Sequence, residues 1–342
     1  MGTVDSPTRA ALGEMATASP GHVATAWVQV TPPTSPSSRD QVQMGYDVRL
    51  KEVVLFGGYD PAVVPLGDTW VFHAGVWTNL TPNLTVSPPA RWGAGFAYDP
   101  QQPAGMILFG GRNTTQFFND TWLFNGTAWF NLTSGPAPSP RGAGVGLAYD
   151  APDHALVLHG GGTGNVPSGS FSPWTRYNDT WAFVHGHWAN RTRAAGPGPG
   201  SRSGMVAVYD PVLRGVLYFG GILQYPNGTT ATMQDTWSFV HGVWKLLATR
   251  GSPPALYAPA ITWDPTLKGA ILFGENTSSG FDPTYEYRAG AWRNVSPVIT
   301  ASPATRGNVG LTFDKADGYL VLFGGDTPPP NYSYRSDTWA FV

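Results

Sequence analysis

The sequence predicts an all-β chain made of six repeats, each of four short antiparallel strands. Two observations carry that reading. A single phrase recurs along the chain: an apolar run ending in a Gly pair, a variable loop, Asp-Thr-Trp-x-Phe, a turn and a second Trp. The Gly pairs stand at Gly57-Gly58, Gly110-Gly111, Gly160-Gly161, Gly220-Gly221 and Gly324-Gly325, with a degenerate copy at Gly274-Glu275. The second Trp stands at Trp27, Trp77, Trp129, Trp188, Trp244 and Trp292, at intervals of 48 to 59 residues. Composition agrees, because 43 Gly and 32 Pro punctuate 14 Trp, 14 Tyr and 17 Phe. Disordered chains lack such aromatic content, whereas short strands joined by tight turns require it.

The second repeat shows the elements in order. Arg91 to Asp99 reads as a first strand closed by an Asp99-Pro100 turn, where Pro presets its own φ. Met106 to Phe109 is a continuous apolar run, as expected of a strand buried on both faces. Gly110-Gly111 lets the backbone turn without a Cβ penalty. Asp120 to Phe124 is the third strand, Asn125-Gly126 a hairpin turn, and Trp129 sits on the fourth. Four such strands form one blade of a β-propeller.

The sixth repeat predicts how the array ends. Its first three strands are Arg306 to Asp314, Leu320 to Phe323 and Asp337 to Phe341, and Val342 follows with no fourth strand. Residues 23–31, centred on Trp27, form a fourth-strand phrase with no blade before it. The expected fold is one six-bladed propeller over residues 23–342, closed by the Trp27 strand completing the C-terminal blade. Closure removes the strand edge that a linear array would expose. Residues 1–22 form an Ala/Thr/Ser/Pro-rich extension.

Composition narrows the function classes. Net charge is -2 and no Lys/Arg run could follow a phosphate backbone, so no nucleic-acid partner is expected. The chain has no Cys, which excludes disulfides, thiolate metal sites and Cys nucleophiles. No stretch reaches the roughly 18 apolar residues of a membrane span. The extension lacks the apolar core of a signal peptide, so the chain is either cytoplasmic or begins after a removed leader.

The Gly pair, the Asn-Asp-Thr-Trp-x-Phe phrase and the following Trp resemble the Kelch repeat, over essentially residues 23–342. The aromatic-dense, Asn/Thr-rich style looks most like secreted prokaryotic, particularly archaeal, Kelch proteins. The resemblance implies the Kelch-type propeller but no single activity, since the family includes adaptors, sugar-modifying enzymes and surface proteins. Its copper oxidases need a Cys cross-linked to Tyr, which a Cys-free chain cannot supply. The sialidase Ser-x-Asp-x-Gly-x-x-Trp box is absent.

Candidate binding residues fall into three groups. Arg39, Arg91, Arg141, Arg202 and Arg306 open five of the six first strands. They either ring one mouth of the channel, suiting carboxylate or sulfate groups, or pair with the repeated Asp68, Asp120, Asp179, Asp235 and Asp337. Repetition favours the pairing, since functional sites break symmetry. The fifth repeat departs from the pattern at Leu256, Glu275 and Thr284-Tyr285-Glu286-Tyr287. Glu275 would be an acid, a base or a cation ligand there, against simple drift. The loops after the Gly pairs carry Phe117 and Phe118, then Phe171, Trp174, Arg176 and Tyr177, then Tyr332, Tyr334 and Arg335. Such aromatics suit sugar rings or a protein partner, or else fold down as satellite core.

No His pair has ligand spacing, so no metal, cofactor or catalytic residue is expected. Twelve of the fourteen Asn lie in Asn-x-Ser/Thr. Asn119 and Asn178 belong to the repeated phrase. Asn79, Asn131, Asn190 and Asn294 lie two residues after an outer Trp, on the accessible rim of a blade. Asn83, Asn113, Asn125, Asn227, Asn276 and Asn331 lie elsewhere. These sequons favour an extracellular or cell-surface location, with the cytoplasm as runner-up. The expected function is a non-catalytic extracellular or surface propeller that binds glycan or protein, or self-assembles. The alternatives are a sugar-modifying enzyme of mutarotase or lyase type at the channel mouth, and an intracellular adaptor.

Overall fold

The computed structural model describes residues 26–101, 103–142, 144–164, 174–275, 283–296, 302–327 and 333–342. The extension at 1–22, Phe171, Asn276, Asn331 and Tyr332 lie outside the described residues, as does the side chain of Glu275. The described chain is all-β but for a short 3-10 turn at Thr81–Asn83. Its strands form six four-stranded antiparallel sheets, one for each repeat. The first is Gln43–Asp47, Glu52–Phe56, Thr69–His73 and Val76–Asn79 in that order. The sixth is Gly310–Asp314, Tyr319–Phe323, Thr338–Phe341 and then Trp27–Val30, whose residues pair Trp27 with Phe341 and Val30 with Thr338.

Burial follows the strand order. The second strand of most repeats is apolar and wholly buried, as in Gly105–Phe109 and Gly215–Phe219. Six hydrophobic clusters lie between successive sheets rather than within them. One joins Val53, Leu55 and Trp77 of the first sheet to Val321 and Phe323 of the sixth. The other five join neighbours in chain order. A lone four-stranded sheet has two apolar faces and no core of its own, so each repeat depends on the next.

The Gly pair has a steric reason. Gly110 and Gly111 have φ of 68° and 90°, and a Cβ on Gly110 would lie 2.6 Å from the Arg141 carbonyl. Only Gly tolerates both conditions at low cost. Where the fifth repeat has Glu275 instead, the second strand does not turn there but continues, over Gly269–Glu275, for 7 residues instead of the usual 5.

Candidate functional site

The repeated polar residues build the frame. In the first repeat Arg39 donates to both carboxylate oxygens of Asp68 at 2.6 and 2.8 Å, and to the Gly57 carbonyl at 3.0 Å. Trp70 donates its indole N–H to the same carboxylate. Arg91, Arg141, Arg202 and Arg306 repeat the arrangement with Asp120, Asp179, Asp235 and Asp337, at 2.5 to 2.7 Å. All five arginines are at most 2 % exposed, so their guanidiniums do not open onto the channel mouth. They also precede the first strands instead of opening them: Arg91 stands four residues before Gly95. Burial acts to raise the Asp68, Asp179 and Asp337 carboxyls, but the Arg hydrogen bonds outweigh it and hold them below the usual range.

The middle residue of Asp-Thr-Trp has its own role. The outer Trp of each sheet donates its indole N–H to the Thr of the preceding sheet. Trp129 reaches Thr69 at 3.0 Å, Trp188 Thr121 at 2.9 Å, Trp244 Thr180 at 2.9 Å and Trp292 Thr236 at 2.9 Å. Trp27 reaches Thr284 at 3.3 Å and Trp77 reaches Thr338 at 2.9 Å, so all six sheets take part. The fifth repeat keeps Thr284 for this reason while Leu256 and Pro283, both buried, stand at its Arg and Asp positions. Losing both partners of an ion pair is nearly neutral, whereas losing one strands a buried charge.

The rim sequons are turns. Asn79 Oδ1 accepts the backbone N–H of Thr81, whose hydroxyl in turn accepts the N–H of Thr69. The same relay runs through Asn131 and Thr133, Asn190 and Thr192, and Asn294 and Ser296. Asn113, Asn125 and Asn227 cap Asx turns of their own. The Asn-x-Ser/Thr spacing at these seven positions therefore has a structural cause. Asn79, Asn83, Asn131, Asn190, Asn227 and Asn294 are nonetheless exposed.

With the frame removed, the unrepeated polar residues converge on one place. A cavity of about 350 Å³ is lined by residues that follow the Arg position in all six repeats, among them Gln43, Ala94, Gly144, Ser203, Ala258 and Asn308. Beside it, Asp40 and Asp326 are buried, and Tyr59 donates to Asp40 Oδ2 at 2.7 Å while Asn308 donates to Asp326 Oδ1 at 3.1 Å. Burial, with the Asp326 charge adding to it, pushes Asp40 up to about 8, so it holds a proton at neutral pH. Burial raises Asp326 as well, against the Asn308 hydrogen bond.

Also lining the cavity, Arg176 donates Nε–H to Ser203 at 2.9 Å and stacks over Trp174 at 5.5 Å. Burial lowers its pKa, and among the described residues it has no carboxylate partner. Trp174 is 40 % exposed and Gln224 ties its carbonyl to the Arg176 backbone. In the second repeat Arg112 lies between the rings of Trp92 and Phe117, at 5.1 and 4.9 Å. Phe118 does not line a loop platform: it is buried over the Arg91 guanidinium, as Tyr177 stacks on Arg141. Tyr334 packs edge-on to Tyr59.

Sequence reasoning found Trp174, Arg176 and Tyr334 but missed Asp40, Asp326, Gln43, Tyr59 and Asn308. A signal for three of them was present. The residue after the Arg reads Asp40, Trp92, Gly142, Ser203 and Gly307, and the residue after the Gly pair reads Tyr59, Arg112, Gly162, Ile222 and Asp326. Positions that vary in chemistry inside an otherwise constant phrase are where a site can break symmetry. Among the described residues no group of three or more His, Asp or Glu is placed to hold a metal ion, and no helix is long and apolar enough to cross a membrane.

Comparison with known proteins bears on the fold. A family model described as the KLHDC2/KLHL20/DRC7 Kelch-repeats domain matches residues 22–209. A solved structure titled "Structure of YjhT" superposes with a TM-score of 0.62 at 16% identity, covering 90% of this chain and 96% of that chain. At that identity the likeness concerns the fold alone. No curated protein matches.

Proposed function

The chain belongs to the Kelch-repeat family, and from that premise we propose that it is a non-catalytic binding propeller. In this reading the six sheets are the blades of one ring, and the Trp27–Val30 strand closes it by completing the last blade. The ligand, a glycan or a protein segment, enters the axial cavity and meets the loops around it. The observation that carries this reading is the division of labour among polar residues. Repeated Arg, Asp, Thr and Trp are consumed in the frame, while Gln43, Asn308 and Arg176 line one cavity unrepeated, with Asp40 and Asp326 buried beside it. A rigid scaffold that confines its irregular chemistry to one face is built for recognition.

We place the protein outside the cell or on its surface, on the strength of exposed sequon Asn on the outer strands. Self-assembly there is compatible with the open outer strand edges. The test is a glycan array and a surface-protein binding screen run with the wild type, Trp174→Ala and Arg176→Gln. Hits weakened about tenfold or more by either change support the reading; hits indifferent to both sink it. Intact mass of native-source protein decides the location, since absence of hexose-scale additions removes its support. A sugar-modifying enzyme at the same cavity is the second reading, favoured by Asp40, a protonated acid beside a second carboxyl. Turnover of an array hit, lost in Asp40→Asn, would establish it.

A further inference from the structure

A second cavity, of about 420 Å³, shares no lining residue with the one at Arg176. It opens between the third and fourth sheets. Val157 of the strand Ala155–His159 and Ala182 of the strand Thr180–Val184 line it from the third sheet, and Phe239 and Val243 line it from the fourth. Comparison of the repeats shows why space is left there. At the junction of the second and third sheets Leu123 is buried and Leu132 packs against the same cluster. One repeat later Ala182 and Arg191 hold those two places in the phrase. The first change shortens a core side chain, and the second replaces a filler with a cation.

Arg191 is the exception at its position. The other five repeats have Val30, Leu80, Leu132, Leu247 and Val295. Val30 and Val295 are buried, and the three leucines pack onto the clusters between sheets. Ala182 pairs with Ala189, so the alternation of the strand turns Arg191 to the same face, toward the fourth sheet. The backbone N–H of Arg191 bonds the Thr180 carbonyl at 2.8 Å, but among the described residues its guanidinium makes no hydrogen bond or ion pair. The acid that lines the same cavity, Asp153, belongs to its other end. Ala155, two residues on, lies beside Val184, because Leu156 pairs with Phe183. Thr180 and Val184 stand about 13 Å apart along the strand, at roughly 3.3 Å per residue. A guanidinium fork at one end of an apolar wall, with no acid to close it, fits a planar two-oxygen anion whose remainder is apolar.

We propose that this cavity is a second binding site, for a monocarboxylate with an apolar tail or ring. Its carboxylate sits on Arg191 and its body lies against Val157, Ala182 and Phe239. The volume is in the range of small-molecule sites. Arg191, Asp153 and His241 are exposed, so the ligand enters from solvent without displacing a strand. The site is independent of the cavity at Arg176.

The experiment is calorimetric titration of the full chain with hexanoate, octanoate and phenylacetate, and with the amide of each. At least one acid is expected to bind, with its amide weaker by about tenfold or more. Arg191→Leu should erase the difference between acid and amide. Ala182→Leu should remove binding of both, by filling the space that Leu123 fills one junction earlier. Each variant installs a residue that another repeat carries at that place, so melting temperatures no lower than that of the wild type are expected. Acid and amide binding alike, no probe binding at all, or binding that survives in a folded Ala182→Leu protein overturns the inference. Loss of the signal in Arg176→Gln with Arg191→Leu unaffected would put the probe in the other cavity, and overturns it as well.

Discussion

A missing N–H sets Asp150 apart from its counterparts at the ends of the other first strands. Asp47, Asp99, Asp210, Asp264 and Asp314 each accept the backbone N–H two residues on, from Arg49, Gln101, Val212, Thr266 and Ala316. In the third repeat that residue is Pro152, which has no N–H to give. Asp150 is fully buried with both carboxylate oxygens unpartnered. Burial first, and then the Asp153 charge, pushes it up to about 7. A carboxyl raised above its unfolded value binds its proton more tightly when folded, so its own contribution to stability is full below about pH 4 and is lost as pH rises through 7. Asp150→Asn removes that ionisation. Urea unfolding should find the variant level with wild type near pH 4 and more stable at pH 8, by on the order of 1–3 kcal/mol. A variant less stable than wild type at pH 8 would show that Asp150 has a donor after all.

At the scale of the element, the decisive strand is Trp27–Val30, four residues long. Trp27 is 1 % exposed, packs on Phe273 and Phe341 at 5.4 and 5.0 Å, and bonds Thr284. Trp27→Ala should cost about 3–5 kcal/mol, as for a buried aromatic anywhere in a core. Val28→Ala on the same strand, only half-buried, is the control; equal denaturant midpoints for the two would mean that the strand is dispensable. This element was legible because its Trp is a repeat letter standing at the wrong end of the chain. The Gly pairs, the third strands and the hairpins were legible likewise, each having a local steric or hydrogen-bonding cause. The roles of Thr284 and Thr69 were not, because the bond each accepts comes from a Trp in the next repeat, tens or hundreds of residues away. The sequon spacing has two readings for a related reason: Asn79 and Thr81 serve a turn, and the same spacing spells a modification signal. The candidate site was half legible, since Arg176 and Trp174 announce themselves by type, whereas Asp40 and Asp326 acquire their character only from burial together.

For the whole molecule, the Trp-to-Thr bond occurs at every junction between sheets, so no junction is privileged by its chemistry. Ala26 and Val342 already exchange backbone hydrogen bonds at 3.1 and 3.4 Å. A permuted chain that links them through a short Gly/Ser tether and opens at the exposed Ala289-Gly290 turn should therefore fold. Its melting temperature is expected within about 5 °C of the unpermuted 26–342 chain. Loss of a single cooperative transition in the permutant, with the unpermuted chain intact, would show that the junction at Trp27 differs in kind from the others and would count against one ring of equivalent blades.

The pairing of Trp27–Val30 with Thr338–Phe341 also sets a timetable. The partners lie at opposite ends of a 342-residue chain. At a synthesis rate of roughly 5–20 residues per second, the first strand leaves the ribosome some 15–60 s before its partner exists. During that interval its indole and its unpaired backbone edge wait in water, and the other five sheets have time to assemble. Docking of the Trp27 strand waits on the synthesis of Thr338–Phe341, and anything that occupies the Trp27 segment during that delay competes with this pairing.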